Sequence, residues 1–323
     1  MLVTGAGGFI GSHLVEALLA EGHEVRALVR YNSRGSYQHL EPFAGDRQHR
    51  LDVRLGDITD GYQMRDLAGG CEVVYHLAAL IGIPYSYHAP ASYVATNVQG
   101  TLNVLEASRQ ARVRRVIVTS TSEVYGTARY APIDEGHPLQ GQSPYAASKI
   151  AADKLAEAYF CSFDVPVVTL RPFNTYGARQ SARAVIPTVL TQAIRGATEI
   201  QLGNLEPRRD LTYVADTVRA FILAAEAPAI EGEVIHFGHG EAASVGEIAR
   251  RCLEVTGSSA RIVSVPERAR PERSEVGLLL CDASRARKVL GWAPQVALED
   301  GLRRTADYIR ANLDEYPAGG YVV

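Results

Sequence analysis

Short aliphatic and β-branched runs alternate with longer amphipathic segments through the first half of this chain. The runs MLVTG (1–5), VRALV (25–29), VRLGD (53–57), VVYHL (73–77), VRRVIVTS (113–120) and VVTLRP (167–172) read as buried strands. Between them, SHLVEALLAEG, TNVQGTLNVLEASRQA and SPYAASKIAADKLAEAYF repeat apolar residues at steps of three and four, the helical period. This rhythm predicts βαβ units with right-handed crossovers, and so an α/β fold whose doubly wound parallel sheet carries helices on both faces. After Pro172 the rhythm breaks, because NTYGARQSARAVIPTVLTQAIRG is punctuated by Asn, Gly and Pro. A smaller lobe is expected there. RRDLTYVADTVRAFILAAEA and EVIHFG read as a helix and a strand of the main fold. The expected division is a larger domain over 1–172, returning over roughly 210–238, and a smaller lobe from 173–209 and 239–323.

Composition narrows the class. The 323 residues are 46% hydrophobic and 21% charged, which fits a globular chain and excludes a fibre or a disordered tail. Net charge is −3 with no basic block, so neither nucleic acid nor an anionic membrane surface is an expected partner. Cys71, Cys161, Cys252 and Cys281 are far apart and suggest reduced thiols in a cytoplasmic protein. MLVTGAGGFIGSHL enters a glycine motif directly and does not read as a signal peptide, and no apolar run is of membrane-spanning length. His13, His76, His88, His236 and His239 lack metal-ligand spacing, so no metal is expected.

Gly5, Gly8 and Gly11 form G-x-x-G-x-x-G between the first strand and the helix beginning near Ser12. Glycines so placed allow a tight turn, close approach of backbone to a pyrophosphate, and close helix–sheet contact. In an NAD site an Asp or Glu about 20 residues further on bonds the ribose hydroxyl. Here that position holds Arg30, followed by Asn32, Ser33 and Arg34. A guanidinium among hydrogen-bonding side chains suits a 2′-phosphate, so NADP is the expected cofactor and NAD the alternative. The competing reading of Arg30 is a solvated surface side chain.

Tyr145 and Lys149 in SPYAASK lie four residues apart, on one face of a helix. An ammonium beside a phenol favours the phenolate and makes the tyrosine usable as an acid–base group. Together with Thr121 and the glycine loop, this pair resembles the extended short-chain dehydrogenase/reductases, the NAD-dependent epimerase/dehydratase family that acts on nucleotide sugars. GAGGFIGSHL, GDITD, YHLAA, TNVQGTLNVLEA, TSTSEVYG, SPYAASK, RPFNTYG, RRDLTYVADT and LGWAP carry the resemblance over essentially the whole chain. It implies a Rossmann-like fold that holds a nicotinamide cofactor through Gly5, Gly8, Phe9, Ile10 and Gly11. Asp57 and Ile58 would meet the adenine, Leu77, Ala78 and Ala79 would line the cleft, and Pro172, Tyr145 and Lys149 would adjoin the nicotinamide. Asn174 and Val185 would contact the substrate, with Arg209 and Arg270 neutralising its diphosphate; the alternative for Arg209 is an ion pair with Asp210. Helices near 97–111 and 145–163 carry apolar residues on more than one face, and the resemblance makes them a homodimer interface.

Glu123, in TSTSEVYG, is a carboxylate just past a buried strand. Thr121-Ser122-Glu123 resembles the triplet of the 4,6-dehydratases in its serine version, as in GDP-mannose dehydratases; others have Thr-Asp-Glu. Once C4 of a hexose is oxidised, C5–H is acidic and the C6 hydroxyl can leave as water, which calls for a base and an acid. The resemblance gives Glu123 the C5 proton, while Ser122 either relays a proton or leaves Glu123 to act as base and then acid. UDP-glucuronate decarboxylases also carry TSEVYG, but their tyrosine segment is nearer YDEGKR than YAASKIAAD. IGIPYSYHAPASYVATNVQGTLNVLEA, QGQSPYAASKIAADKLA, RPFNTYGARQSARAVIPT and the tail YPAGGYVV look most like UDP-N-acetylglucosamine 4,6-dehydratases of legionaminate-type pathways. The expected activity is thus a lyase forming a 4-keto-6-deoxy sugar. A 4-epimerase, a decarboxylase and a non-catalytic dinucleotide sensor are the alternatives.

Overall fold

The computed structural model describes residues 1–43, 50–268 and 270–316. The tail YPAGGYVV lies outside them beyond Tyr316. The strands are β1 (Leu2–Thr4), β2 (Val25–Arg30), β3 (Leu51–Gly56), β4 (Val73–His76), β5 (Arg115–Thr119), β6 (Val167–Pro172), β7 (Asn174–Tyr176), β8 (Glu199–Leu202), β9 (Arg208–Tyr213), β10 (Val234–Phe237), β11 (Ala242–Ser244), β12 (Arg261–Ser264) and β13 (Leu278–Leu279). The helices are α1 (Phe9–Ala20), α2 (Gly61–Ala68), α3 (Ile83–His88), α4 (Pro90–Tyr93), α5 (Gly100–Ala111), α6 (Pro144–Phe163), α7 (Val185–Ile194), α8 (Val214–Glu226), α9 (Val245–Thr256), α10 (Ser284–Leu290) and α11 (Leu298–Ala311).

Seven strands form one parallel sheet in the order β10-β6-β5-β4-β1-β2-β3. Successive residues of each strand serve opposite layers. Val3, Tyr75 and Ile117 pack with Leu14 and Leu18 of α1 and Phe221 of α8, whereas Leu2, Val74, Val116 and Val118 pack with Met64 of α2 and Val104 and Leu105 of α5. Two apolar faces explain why these strands read as continuous hydrophobic runs. The chain leaves β1 for β2 and β3, then returns to β4 on the other side of β1. That reversal opens a crevice at the carboxyl ends of β1 and β4, where doubly wound sheets bind ligands.

A second sheet, ordered β11-β9-β13 with β7 also paired to β9, covers that end of the molecule, and β8 pairs with β12. Here the structure departs from the sequence reading, because RRDLTY is strand β9 of this smaller sheet and only the following segment is helix α8. Thr212 and Tyr213 favour extended backbone, and the switch to helix comes where Asp216 falls in the first turn of α8. Among the described residues no helix is long and apolar enough to cross a membrane.

Candidate active site

The floor of the crevice is dictated by two glycines. Gly5 turns at φ +68°, and a Cβ there would lie 2.7 Å from the Ala78 amide nitrogen, while one on Gly11 would lie 2.2 Å from the Gly5 carbonyl oxygen. No other residue fits either place without moving backbone. Helix α1 begins at Phe9 behind an N-cap, Gly8, that offers no side-chain bond. Its first amides are thus left for an anionic ligand. The Thr4 hydroxyl accepts the amide of Ala78 and ties β1 to the segment after β4.

Above this floor lies a cleft of about 900 Å³. Gly5, Gly8, Phe9, Ile10 and Gly11 line one wall, and Asp57 and Ile58 follow from the end of β3. Leu77, Ala78 and Ala79, with Pro172 beyond, line the next. A bare helix N-terminus beside a glycine cradle fits the pyrophosphate of a nicotinamide dinucleotide, which Gly5, Gly8 and Gly11 would hold.

Arg30 lines the same cleft, exposed and 3.9 Å from the Asp57 carboxylate. Asn32 and Ser33 are not among its lining residues, which reduces the expected polar cluster to Arg30. The Asn32 carboxamide donates to the carbonyls of Arg30 and Ser36 and accepts the amides of Arg34 and Ser36, so it is committed to its own turn. Gln38, which the sequence did not single out, lies over Gly7 and lines the cleft.

Thr121, Ser122 and Glu123 enter from the other side, on a short turn that follows β5. The Thr121 hydroxyl accepts the amide of Glu123 at 3.3 Å and caps that turn. Tyr145 and Lys149 face them from α6, whose start is set by Pro144 in its first turn and by the Ser143 hydroxyl, which accepts the Ala146 amide. Tyr145 is buried, with the Tyr93 ring edge-on at 6.2 Å.

The electrostatics differ from the simple expectation for the pair. Burial pushes the Tyr145 phenol up, a hydrogen bond with Thr121 draws it down, and the Glu123 charge pushes it up again. The Lys149 ammonium donates to the Thr119 carbonyl at 2.6 Å. Burial lowers the pKa of Lys149, and Asp153 opposes that.

The smaller lobe supplies the remaining wall. Asn174 and Val185 line it, and the buried Asn174 Oδ1 has no hydrogen-bond partner among the described residues. Arg209 does not pair with Asp210, whose carboxylate accepts the amides of His239, Gly240 and Cys281. Arg209 instead reaches Glu275 at 3.3 Å, and Arg270 approaches the same carboxylate at 3.6 Å. Both arginines line the cleft. His76 is held between Thr4 and Thr101 at 2.9 Å each, and burial lowers its pKa to about 3. No His, Cys, Asp and Glu cluster suited to a metal occurs among the described residues.

Residues 2–305 match a family model described as GDP-mannose 4,6 dehydratase. The chain is 35% identical to a UDP-glucose 4-epimerase of Mycolicibacterium smegmatis over 96% of its own length and 98% of the relative's. It is 34% identical to a dTDP-glucose 4,6-dehydratase of Streptomyces niveus, covering 97% of this chain and 93% of that protein. The crystal structure of DesIV, a dTDP-glucose 4,6-dehydratase from Streptomyces venezuelae with NAD and TYD bound, superposes with a TM-score of 0.87 at 32% identity, covering 97% of each chain.

Proposed function

We propose that this chain, which belongs to the GDP-mannose 4,6 dehydratase family of the NAD-dependent epimerase/dehydratase superfamily, is a nucleotide-sugar 4,6-dehydratase acting on UDP-N-acetylglucosamine. Glu123 carries the reading. In one cleft a carboxylate stands two residues from Thr121, close enough for its charge to act on both Tyr145 and Arg209. Epimerisation at C4 requires no such group, whereas elimination across C5–C6 requires a base at C5. A nicotinamide bound in the cleft supplies the transient acceptor for the C4 hydride.

The residues of the chain do the rest. Tyr145 takes the 4-hydroxyl proton, Thr121 holds the 4-oxygen, and the Lys149 ammonium stabilises the charge that develops on the phenol. Asn174, Arg209 and Arg270 hold the diphosphate, with Val185 beside them. Incubation with UDP-N-acetylglucosamine followed by mass spectrometry tests the assignment. A product lighter by one water supports it. An isomer of unchanged mass favours the 4-epimerase, and carbon dioxide lost from a UDP-uronate favours the decarboxylase. No conversion of any sugar favours the sensor.

The cofactor preference rests on Arg30, the cation at the end of β2 in the cleft. Arg30→Ala is expected to weaken NADP by about tenfold or more relative to NAD, the loss of one charge-assisted bond to a phosphate. Equal losses for the two, measured by titration calorimetry, would remove the NADP preference. The reading also includes a cytoplasmic homodimer through the α5–α6 face, near which Val94 and Phe163 stay exposed. Light scattering should then give twice the 35.0 kDa chain mass.

A further inference from the structure

Asp153 lies one turn beyond Lys149 on α6 and is 4% exposed. Its Oδ1 has no hydrogen-bond partner among the described residues, so its bonding runs through Oδ2. That oxygen accepts the Ser120 hydroxyl at 2.7 Å and the Arg171 guanidinium twice, from Nε at 3.0 Å and Nη2 at 2.9 Å.

Each partner adjoins the machinery of the cleft. Ser120 sits between Thr119, whose carbonyl takes the Lys149 ammonium, and Thr121. Arg171 precedes Pro172, and its Nη1 donates to the Tyr125 hydroxyl at 2.5 Å. Tyr125 closes the turn that holds Ser122 and Glu123, and on its far side meets His236 of β10. One carboxylate oxygen therefore ties the ends of β5 and β6 to the helix that bears Tyr145 and Lys149.

We propose that Asp153 is a positioning residue: through Oδ2 it fixes the Thr121–Glu123 turn against Tyr145 and Lys149. It is not among the residues that line the cleft. A buried ion pair is a weak device for stability, since well-packed apolar groups serve as well. It is a good device for orientation, and displacement of a reacting group by about 1 Å costs on the order of 100-fold in rate. No feature of the local sequence announces this role, which depends on three segments meeting in space.

The inference rests on the proposed sugar oxidation for its kinetic readout, and has a second readout that does not. Ser120→Ala removes one link and leaves Asp153 paired with Arg171. With UDP-N-acetylglucosamine, kcat is expected to fall about 10- to 100-fold at unchanged KM. Amide hydrogen exchange is expected to quicken across Thr119–Gly126 and to stay unchanged in α1. Should Ser120→Ala not fold, Asp153→Asn, which keeps the shape of the side chain, is expected to give the same split. Faster exchange with unchanged kcat overturns the proposal and leaves a structural bond; lower kcat without faster exchange overturns it too, since the turn has not moved. If the wild type converts no sugar, the reading of function fails, and the positioning role fails with it unless exchange quickens across Thr119–Gly126 in Ser120→Ala.

Discussion

Tyr145→Phe is expected to lower kcat by about 10²- to 10⁴-fold, the span that a lost acid–base group covers. The phenylalanine keeps the ring edge-on to Tyr93 at the base of α6, so thermal stability and nucleotide-sugar binding should change little. What disappears is the hydroxyl that Thr121 bonds. That hydroxyl sits in an environment of opposed effects, with burial and the Glu123 charge holding the proton on and Thr121 helping it off. The sign of a companion experiment follows. Thr121→Val removes a contribution that lowers the Tyr145 pKa, so the rise of kcat with pH should move to higher pH. A Tyr145→Phe enzyme with wild-type kcat would show that another group takes the 4-hydroxyl proton.

How much of this was legible in the sequence depended on range. The strands and glycine loop were readable because each is local: β-branched runs buried on both faces announce a parallel sheet, and Gly5 and Gly11 cannot be replaced where backbone meets backbone. Tyr145 and Lys149 stood out in the sequence because helical spacing puts them on one face and they occur together with Thr121 and the glycine loop. The polar partners were not. Arg209 stands next to Asp210 in sequence, yet alternate residues of a strand point to opposite faces, and Arg209 finds Glu275, 66 positions on, while Asp210 caps backbone amides. Asn32 follows Arg30 by two residues, yet its carboxamide closes its own turn. The Ser120–Asp153–Arg171 contact joins three segments and leaves no periodic trace in any of them.

Glu123→Gln should separate the two halves of the proposed reaction. The carboxamide keeps the shape of the turn, whose cap is the Thr121 hydroxyl accepting the residue 123 amide, and that bond survives the change. It cannot accept the C5 proton. Dehydration is expected to fall by about 10²- to 10⁴-fold, and deuterium from solvent should no longer enter C5. Oxidation at C4 uses Thr121 and Tyr145 and should persist, with its own pH dependence displaced. Because the Glu123 charge raises the Tyr145 pKa, its removal lowers that pKa and moves the onset of C4 oxidation to lower pH, opposite in sign to Thr121→Val. Ser122→Ala then assigns the second proton. If the Ser122 hydroxyl relays a proton to the departing C6 oxygen, dehydration slows while deuterium still enters C5; if Glu123 serves as base and then acid, Ser122→Ala leaves both rates unchanged. Full dehydration by Glu123→Gln would take the carboxylate out of the mechanism, and with it the observation on which the proposed dehydratase reading rests.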